Sequence, residues 1–182
     1  MYRDVLQKLN FVIYLIIAIV ACTLQSTIFT YSPLNFFQPD IGLILAVYLG
    51  MRRDFLEGGI LVALVALILE IHSSVGRFFL MTLYVYIFVI AKLFSKTVII
   101  SDLFSSIGIT TSLLVLKRLG ILVLLFWVGK AENGLKHFFI HLIPGIIVHA
   151  IIAPALFSWF QSIDLRTYKD SRADDELFID NI

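Results

Sequence analysis

The sequence predicts an all-α integral membrane protein with six transmembrane helices and with both chain ends in the cytoplasm. Apolar residues make up 60% of its 182 residues and charged residues only 15%, whereas soluble domains average roughly 45–50% and 25%. A chain this short cannot hide such an excess in a single core. The apolar residues also form long runs between short polar turns, and such runs are expected to face lipid.

A helix needs about 20 apolar residues to cross the hydrocarbon region of a bilayer at about 1.5 Å per residue. Five runs come close to that length, namely residues 10–29, 55–71, 78–95, 103–128 and 138–160. A sixth run, residues 41–51, is about half a span long. By its length alone, this run could be a re-entrant segment or a short tilted helix.

The first run follows Arg3 and Lys8 and contains the single cysteine of the chain, Cys22. Residues 19–22 resemble a lipoprotein cleavage site, and a secretory signal would be removed from the mature protein. Apolar character nevertheless continues to Phe29. We therefore predict an uncleaved first helix.

The distribution of basic residues decides whether the short second run crosses the membrane. If it crosses, one side collects nine of them, which are Arg3, Lys8, Arg52, Arg53, Lys92, Lys96, Arg166, Lys169 and Arg172. The other side then has three, which are Arg77, Lys130 and Lys136. If the run does not cross, the same residues divide five against seven with the opposite sign. Because cytoplasmic loops carry the excess of basic residues, six crossings with cytoplasmic ends are preferred.

Turn residues agree with this division into helices. Pro39 suits the first turn of the second helix, where its missing N–H costs nothing, and Asp40 favours the positive end of the helix dipole. Residues 50–54 and 72–76 are predicted to form tight turns before the third and fourth runs. Pro144 and Pro154 lie inside the last run, where neighbouring helices can satisfy the freed carbonyls, so they predict kinks and not breaks.

The adjacent cations Lys117 and Arg118 lie near the middle of the fifth run. A charge at the centre of a bilayer costs about 2.5–3.5 kcal/mol. The two side chains point about 100° apart on a helix, so they are not expected to share a partner. Either they contact an internal carboxylate, a water-filled pocket or a partner protein, or the true span begins later and they reach the membrane surface.

The remaining polar residues show no catalytic pattern. The sequence has no phosphate loop, dinucleotide motif, nucleophile elbow or zinc-binding helix. We therefore expect no enzymatic activity, no cofactor and no metal. Glu70 is expected to pair with Arg77, and His141 and His149 to be hydrogen-bonded packing residues. A net charge of +1 gives no indication of a nucleic-acid partner.

The chain changes from apolar to charged after residue 163. We predict a transmembrane domain over residues 1–163 and a charged cytoplasmic tail over residues 164–182. Such charged segments are usually solvated.

Three motifs resemble the MreD family of bacterial cell-shape proteins. Pro39 and Asp40 precede the second helix where the family has Arg-Pro-Asp or Arg-Pro-Asn, although Gln38 replaces the arginine. The family closes its third helix with Leu-Asp-Leu-x-Ser-Gly and Leu-Gly, where residues 69–76 read Leu-Glu-Ile-His-Ser-Ser-Val-Gly. The family's Asn-x-x-x-x-Pro in the last helix corresponds to His149 and Pro154. The resemblance covers the whole membrane region in order.

The resemblance implies a non-enzymatic scaffold in the bacterial cytoplasmic (inner) membrane. MreD-like proteins act in the Rod complex, or elongasome, with MreC, a coiled-coil protein that has one membrane helix. Together they connect the MreB filament to RodA and its class B penicillin-binding protein, which carry out lateral peptidoglycan synthesis, and a homo-oligomer could form through this complex. The residues expected to hold the outer turns and the partner-facing surface are Pro39, Asp40, Glu70, Gly76, Lys117, Arg118, His149 and Pro154.

Six short helices also resemble the S-components of ECF vitamin transporters, which bind the substrate. In this alternative, Lys117, Arg118 and His149 line a cavity for a vitamin. S-components carry an Ala-x-x-x-Ala pair on the first helix, which meets the energising module. Here the first run has Ala18 and Ala21 without that spacing, which favours the scaffold.

Overall fold

The computed structural model describes residues 2–29, 34–73, 78–95, 103–127, 129 and 131–167. Within those ranges the chain forms helices and no strands, so the all-α prediction is confirmed there. A 3₁₀ turn, Leu34–Phe37, precedes the second α-helix. The α-helices are α1 (Tyr2–Ile28), α2 (Ile41–Arg52), α3 (Phe55–Ile71), α4 (Phe79–Phe94), α5 (Leu103–Trp127) and α6 (Ala131–Arg166).

The apolar runs predict the middle helices well and the terminal helices less well. Each end of α2, α3, α4 and α5 lies within one residue of its predicted run. In contrast, α1 starts eight residues before its run, and α6 starts seven residues early and ends six residues late. Hydropathy reports which residues can lie in lipid, whereas a helix continues into polar sequence as long as its hydrogen bonds continue. The helix α6 also continues through Pro144 and Pro154, as predicted.

Among the described residues, three helices are long and apolar enough to cross a membrane. The candidate spans are Lys8–Gln25 in α1, Phe104–Trp127 in α5 and Phe138–Arg166 in α6. A shorter apolar helix is formed by Phe79–Phe94. Large apolar side chains on the long helices are exposed, for example Val123 at 69% and Ile151 at 71%. These lengths and surfaces indicate a membrane protein.

The short helix α2 lies at the centre of the fold. All of its residues from Gly42 to Met51 are buried, and it packs against α1, α3, α4, α5 and α6. Such a helix is apolar on every side because other helices surround it. A Cβ atom at Gly50 would lie 2.8 Å from the Cβ of Ala91 and 2.9 Å from the carbonyl oxygen of Phe88. Glycine at this position therefore permits the close approach of α2 and α4.

Candidate functional site

A buried carboxylate, that of Asp40, caps the beginning of α2. Its Oδ1 atom accepts a hydrogen bond from the backbone N–H of Leu43 at 3.0 Å, which satisfies one of the free donors of the first helical turn. The same atom accepts a second hydrogen bond from the hydroxyl of Tyr84 at 2.7 Å. Asp40 is thus the N-cap residue of α2, at the end of the helix where the sequence predicts a favourable acid.

The charge of Asp40 is balanced by Lys117 from the middle of α5. The ammonium of Lys117 forms an ion pair with Oδ2 of Asp40 and donates a hydrogen bond to the hydroxyl of Tyr84 at 2.6 Å. It also lies 4.4 Å from the centroid of the Tyr84 ring, within cation–π distance. Of the alternatives for this lysine, the internal carboxylate is the one observed, because a buried charge requires a partner.

The fourth member of this group is His149 of α6, which is completely buried. Its Nε2 atom accepts a hydrogen bond from the backbone N–H of Asp40 at 3.1 Å. Its Nδ1 atom lies 2.7 Å from the carbonyl oxygen of Gly145 and must therefore carry the proton. These two bonds identify His149 as a neutral, hydrogen-bonded packing residue. We call Asp40, Tyr84, Lys117 and His149 the Asp40 cluster.

A cavity of about 260 Å³ adjoins the Asp40 cluster. It is lined by Gln25, Asn35, Gln38, Asp40, Leu114, Lys117, Arg118, Ile121, His141 and His149. The guanidinium of Arg118 lies against Gly145, where an added Cβ atom would be 3.0 Å from Nη2. Within the described part of the chain, Arg118 has no acidic partner at ion-pair distance. Both adjacent cations thus line the cavity, but of the two only Lys117 forms an ion pair with a described carboxylate.

A second buried ion pair lies beyond the other end of α2. Arg53, which follows the last residue of α2, donates a hydrogen bond from Nη2 to Oδ1 of Asp164 at 2.5 Å. The same guanidinium donates to the amide oxygen of Asn10 at 2.7 Å. The amide nitrogen of Asn10 in turn donates to Asp164 at 3.0 Å and to the hydroxyl of Thr167 at 2.6 Å. This network joins α1, α2 and α6.

Two tyrosines complete the hydrogen bonding of Asp164. The hydroxyl of Tyr14 donates to Oδ1 at 2.9 Å, and the hydroxyl of Tyr48 donates to Oδ2 at 2.7 Å. Both tyrosines are almost fully buried. We call Asn10, Tyr14, Tyr48, Arg53, Asp164 and Thr167 the Asp164 cluster. Asp164 thus forms part of the packed helical region, whereas the sequence places it at the start of the charged tail, and residues 168–182 lie outside the described part of the chain.

The other predicted site residues have separate positions. Pro39 is buried beside Asp40. Glu70 accepts a hydrogen bond from the backbone N–H of Met81 at 3.3 Å and so holds the start of α4. Pro154 is partly buried within α6. It follows His149 by five residues, which is about 1.4 turns of the helix. Gly76, and the expected pair between Glu70 and Arg77, lie outside the described residues.

The Asp164 cluster is the part of the site that the sequence did not reveal. Its members lie at the ends of apolar runs, where polar residues are usually solvated. One available signal is the spacing of Asn10 and Tyr14, because residues four apart share one face of a helix. Nothing in the sequence indicates which distant acid that face contacts.

In the ranges that the structure describes, no three His, Cys, Asp or Glu side chains are grouped so that they could hold a metal ion. No family model, curated protein or solved structure matches the chain. The two clusters at the ends of α2 and the adjoining cavity are therefore the features on which a function can be based.

Proposed function

We propose that this protein is a multi-pass membrane scaffold of the MreD type. In this proposal six helices cross the bacterial cytoplasmic membrane, both chain ends are cytoplasmic, and the protein catalyses no reaction. The distribution of basic residues in the sequence supports the topology. The motifs around Asp40, Glu70 and His149 support the family.

The crossing of α2 is the least obvious part of this topology. Its 12 residues have a length of about 18 Å, which is less than the roughly 30 Å of the hydrocarbon core. The helix is nevertheless shielded from lipid by the surrounding helices, and its ends meet polar side chains and not hydrocarbon. A short helix can cross under these conditions because protein groups satisfy its terminal backbone atoms.

The observation that carries the scaffold proposal is the pairing of ionisable groups at both ends of α2. Asp40 is balanced by Lys117, and Asp164 by Arg53, and each carboxylate also accepts tyrosine hydroxyl bonds. The acids are thus engaged with internal partners and are not aimed at a reactant. The contacts connect α1, α2, α4, α5 and α6, which favours a rigid frame that presents a fixed surface to other proteins.

The partner in this proposal is an MreC-like protein with one membrane helix, within a complex that includes RodA, a class B penicillin-binding protein and MreB. Helices associate in lipid through close packing at small residues. Most glycines of α3, α5 and α6 are already in internal contact, since added Cβ atoms at Gly58 and Gly120 would lie 2.8 Å from Phe88 and Leu83. Gly108 on α5 instead has no atom within 4 Å of its Cβ position. The exposed surface of α5 around Gly108 can therefore contact a helix of another protein.

The test combines depletion with affinity purification. Depletion of the protein in its own host should convert rods into spheres, and purification in mild detergent should recover a coiled-coil protein with one membrane helix. A Gly108→Leu variant should lower that recovery, whereas Ile16→Phe, which adds bulk to an exposed position on α1, should not. Normal cell shape after depletion would contradict the proposal.

A second candidate function is vitamin binding by an S-component-like protein. The cavity favours it, because Lys117, Arg118 and His149 all contribute to the lining. This function predicts a large thermal shift of the purified protein with one vitamin, and co-purification with an ATP-driven energising module. A vitamin screen without any shift would count against it.

A further inference from the structure

The charges that line the cavity do not cancel. The charge of Lys117 is balanced by Asp40, and the hydrogen bonds of His149 define a neutral ring. Arg118 remains, and its buried Nε atom has no hydrogen-bond partner among the described residues. The described lining contains two permanent cations, Lys117 and Arg118, but a single carboxylate, that of Asp40, which Lys117 already pairs. The cavity therefore has an excess positive charge, and the partly buried guanidinium of Arg118 favours the binding of an anion.

Two neutral lining residues contribute unsatisfied acceptors. The amide oxygens of Gln25 and Asn35 are buried and have no hydrogen-bond partner in the part of the chain that the structure describes. A buried acceptor that lacks a donor costs about 1–3 kcal/mol, a cost that a hydroxyl group of a ligand would remove. The same cavity thus provides a guanidinium for a negative group and amide oxygens for hydroxyl groups.

The size and position of the cavity restrict the ligand further. A volume of about 260 Å³ is smaller than most sites for drug-sized molecules. Gln25 ends the crossing segment of α1, and Asn35 lies in the 3₁₀ turn that precedes α2. The cavity therefore reaches the end of the apolar segment of α1, where a bilayer places its phosphate groups.

We propose that this cavity binds a phosphate group that carries neighbouring hydroxyls, as in glycerol phosphate. Arg118 contacts the phosphate, because its planar guanidinium fits two phosphate oxygens at once. Gln25 and Asn35 accept hydrogen bonds from the hydroxyls. Gly145 leaves room for the guanidinium beside α6. The phosphate belongs either to the head group of an anionic lipid or to a soluble molecule, and this ligand goes beyond the proposed scaffold function.

The test measures thermal unfolding of the full-length protein in a non-ionic detergent with three probes. These are short-chain phosphatidylglycerol, phosphatidylcholine, and soluble glycerol 3-phosphate. Phosphatidylglycerol should raise the unfolding temperature of the native protein, and phosphatidylcholine, whose net charge is zero and which lacks hydroxyls, should not. A shift with phosphatidylglycerol, with or without a shift with glycerol 3-phosphate, identifies a lipid source, and a shift with glycerol 3-phosphate alone identifies a soluble source.

Three variants separate this site from general charge effects. Arg118→Gln should weaken the apparent affinity for the effective probe roughly ten- to a hundred-fold, as expected when a charge-assisted hydrogen bond is lost. The affinity is read from the probe concentration that gives half of the maximal thermal shift. Gly145→Ala keeps the charge but displaces the guanidinium, and should also weaken the response. Arg166→Gln, which removes an exposed arginine at the end of α6, should respond like the native protein.

Two results would overturn the proposal. One is a native protein that none of the three probes stabilises, since the cavity would then hold only water. The other is an Arg118→Gln variant that responds as strongly as the native protein. Correct folding of this variant is checked by its unfolding temperature without probe, which should equal or exceed that of the native protein.

Discussion

The carboxylate of Asp164 and the guanidinium of Arg53 are 2.5 Å apart, although 111 residues separate them in the chain. Both side chains are only 3% exposed. The contact ties the end of α2 to the end of α6, and Asn10 extends it to α1. The first and last helices are therefore held together through the central helix.

Replacement of Asp164 by asparagine should destabilise the protein strongly. The change removes the closest and most buried carboxylate from the guanidinium of Arg53, and loss of one partner of a buried ion pair costs about 3–5 kcal/mol in other proteins. A matched control is Glu57→Gln, because Glu57 lies 3.7 Å from the same guanidinium but is 30% exposed. The Glu57→Gln control should lower the free energy of unfolding by less than about 1 kcal/mol. Thermal unfolding in detergent measures both losses, and equal losses would contradict a dominant role of Asp164.

The two adjacent cations of α5 should respond in opposite ways to neutralisation. Lys117→Met leaves the buried carboxylate of Asp40 unpaired and should lower stability by about 3–5 kcal/mol. Arg118→Gln removes a charge that forms no ion pair with a described residue and whose Nε atom is buried without a hydrogen bond, so it should leave stability unchanged or raise it in ligand-free detergent. Unfolding temperatures of the two variants decide the matter. If both fall equally, the environments assigned to the two cations are wrong.

Addition of a single methyl group at Gly50 should disrupt the packing of α2 on α4. The new Cβ atom would lie 2.9 Å from a backbone oxygen, which cannot rotate away. We expect the free energy of unfolding to fall by about 1–3 kcal/mol, as in other proteins whose cores are overpacked. Gly108→Ala is the control, because open space surrounds that position. A tolerated Gly50→Ala variant would mean that the two helices are farther apart.

Replacement of His149 by leucine should leave the backbone N–H of Asp40 without its acceptor. Loss of that bond in a buried position costs about 1–3 kcal/mol. His72→Leu, at the exposed end of α3, provides the comparison and should change stability by less than about 0.5 kcal/mol. Both variants are compared by thermal unfolding. A His149→Leu variant as stable as the native protein would contradict the contribution assigned to this hydrogen bond.

The sequence predicts the helices better than it predicts their contacts. Hydropathy alone places α2 to α5, because each apolar run is bounded by turn residues. It also draws attention to Asp40 and Lys117, since charges near apolar runs are costly. Their mutual pairing could not be read from the sequence, because 77 residues separate them and several other partners were available.

For Asp164, the environment that the sequence pattern indicates differs from the one in the structure. A carboxylate followed by many charged residues has the pattern of a solvated tail, and the sequence analysis assigned it to one. The helix α6 nevertheless continues to Arg166 and brings Asp164 against Arg53. Burial of a polar residue at a helix end depends on which helices lie beside it, and composition does not contain that information.

We propose that α2 crosses the membrane as a short helix held at both ends by ion pairs, and site-specific labelling tests this crossing most directly. In a Cys22→Ala background, Phe37→Cys and Asp54→Cys place single thiols at exposed positions before and after α2. In right-side-out membrane vesicles, an impermeant maleimide should label the first variant, and should label the second only after permeabilisation. Equal labelling of both variants in sealed vesicles would contradict the crossing.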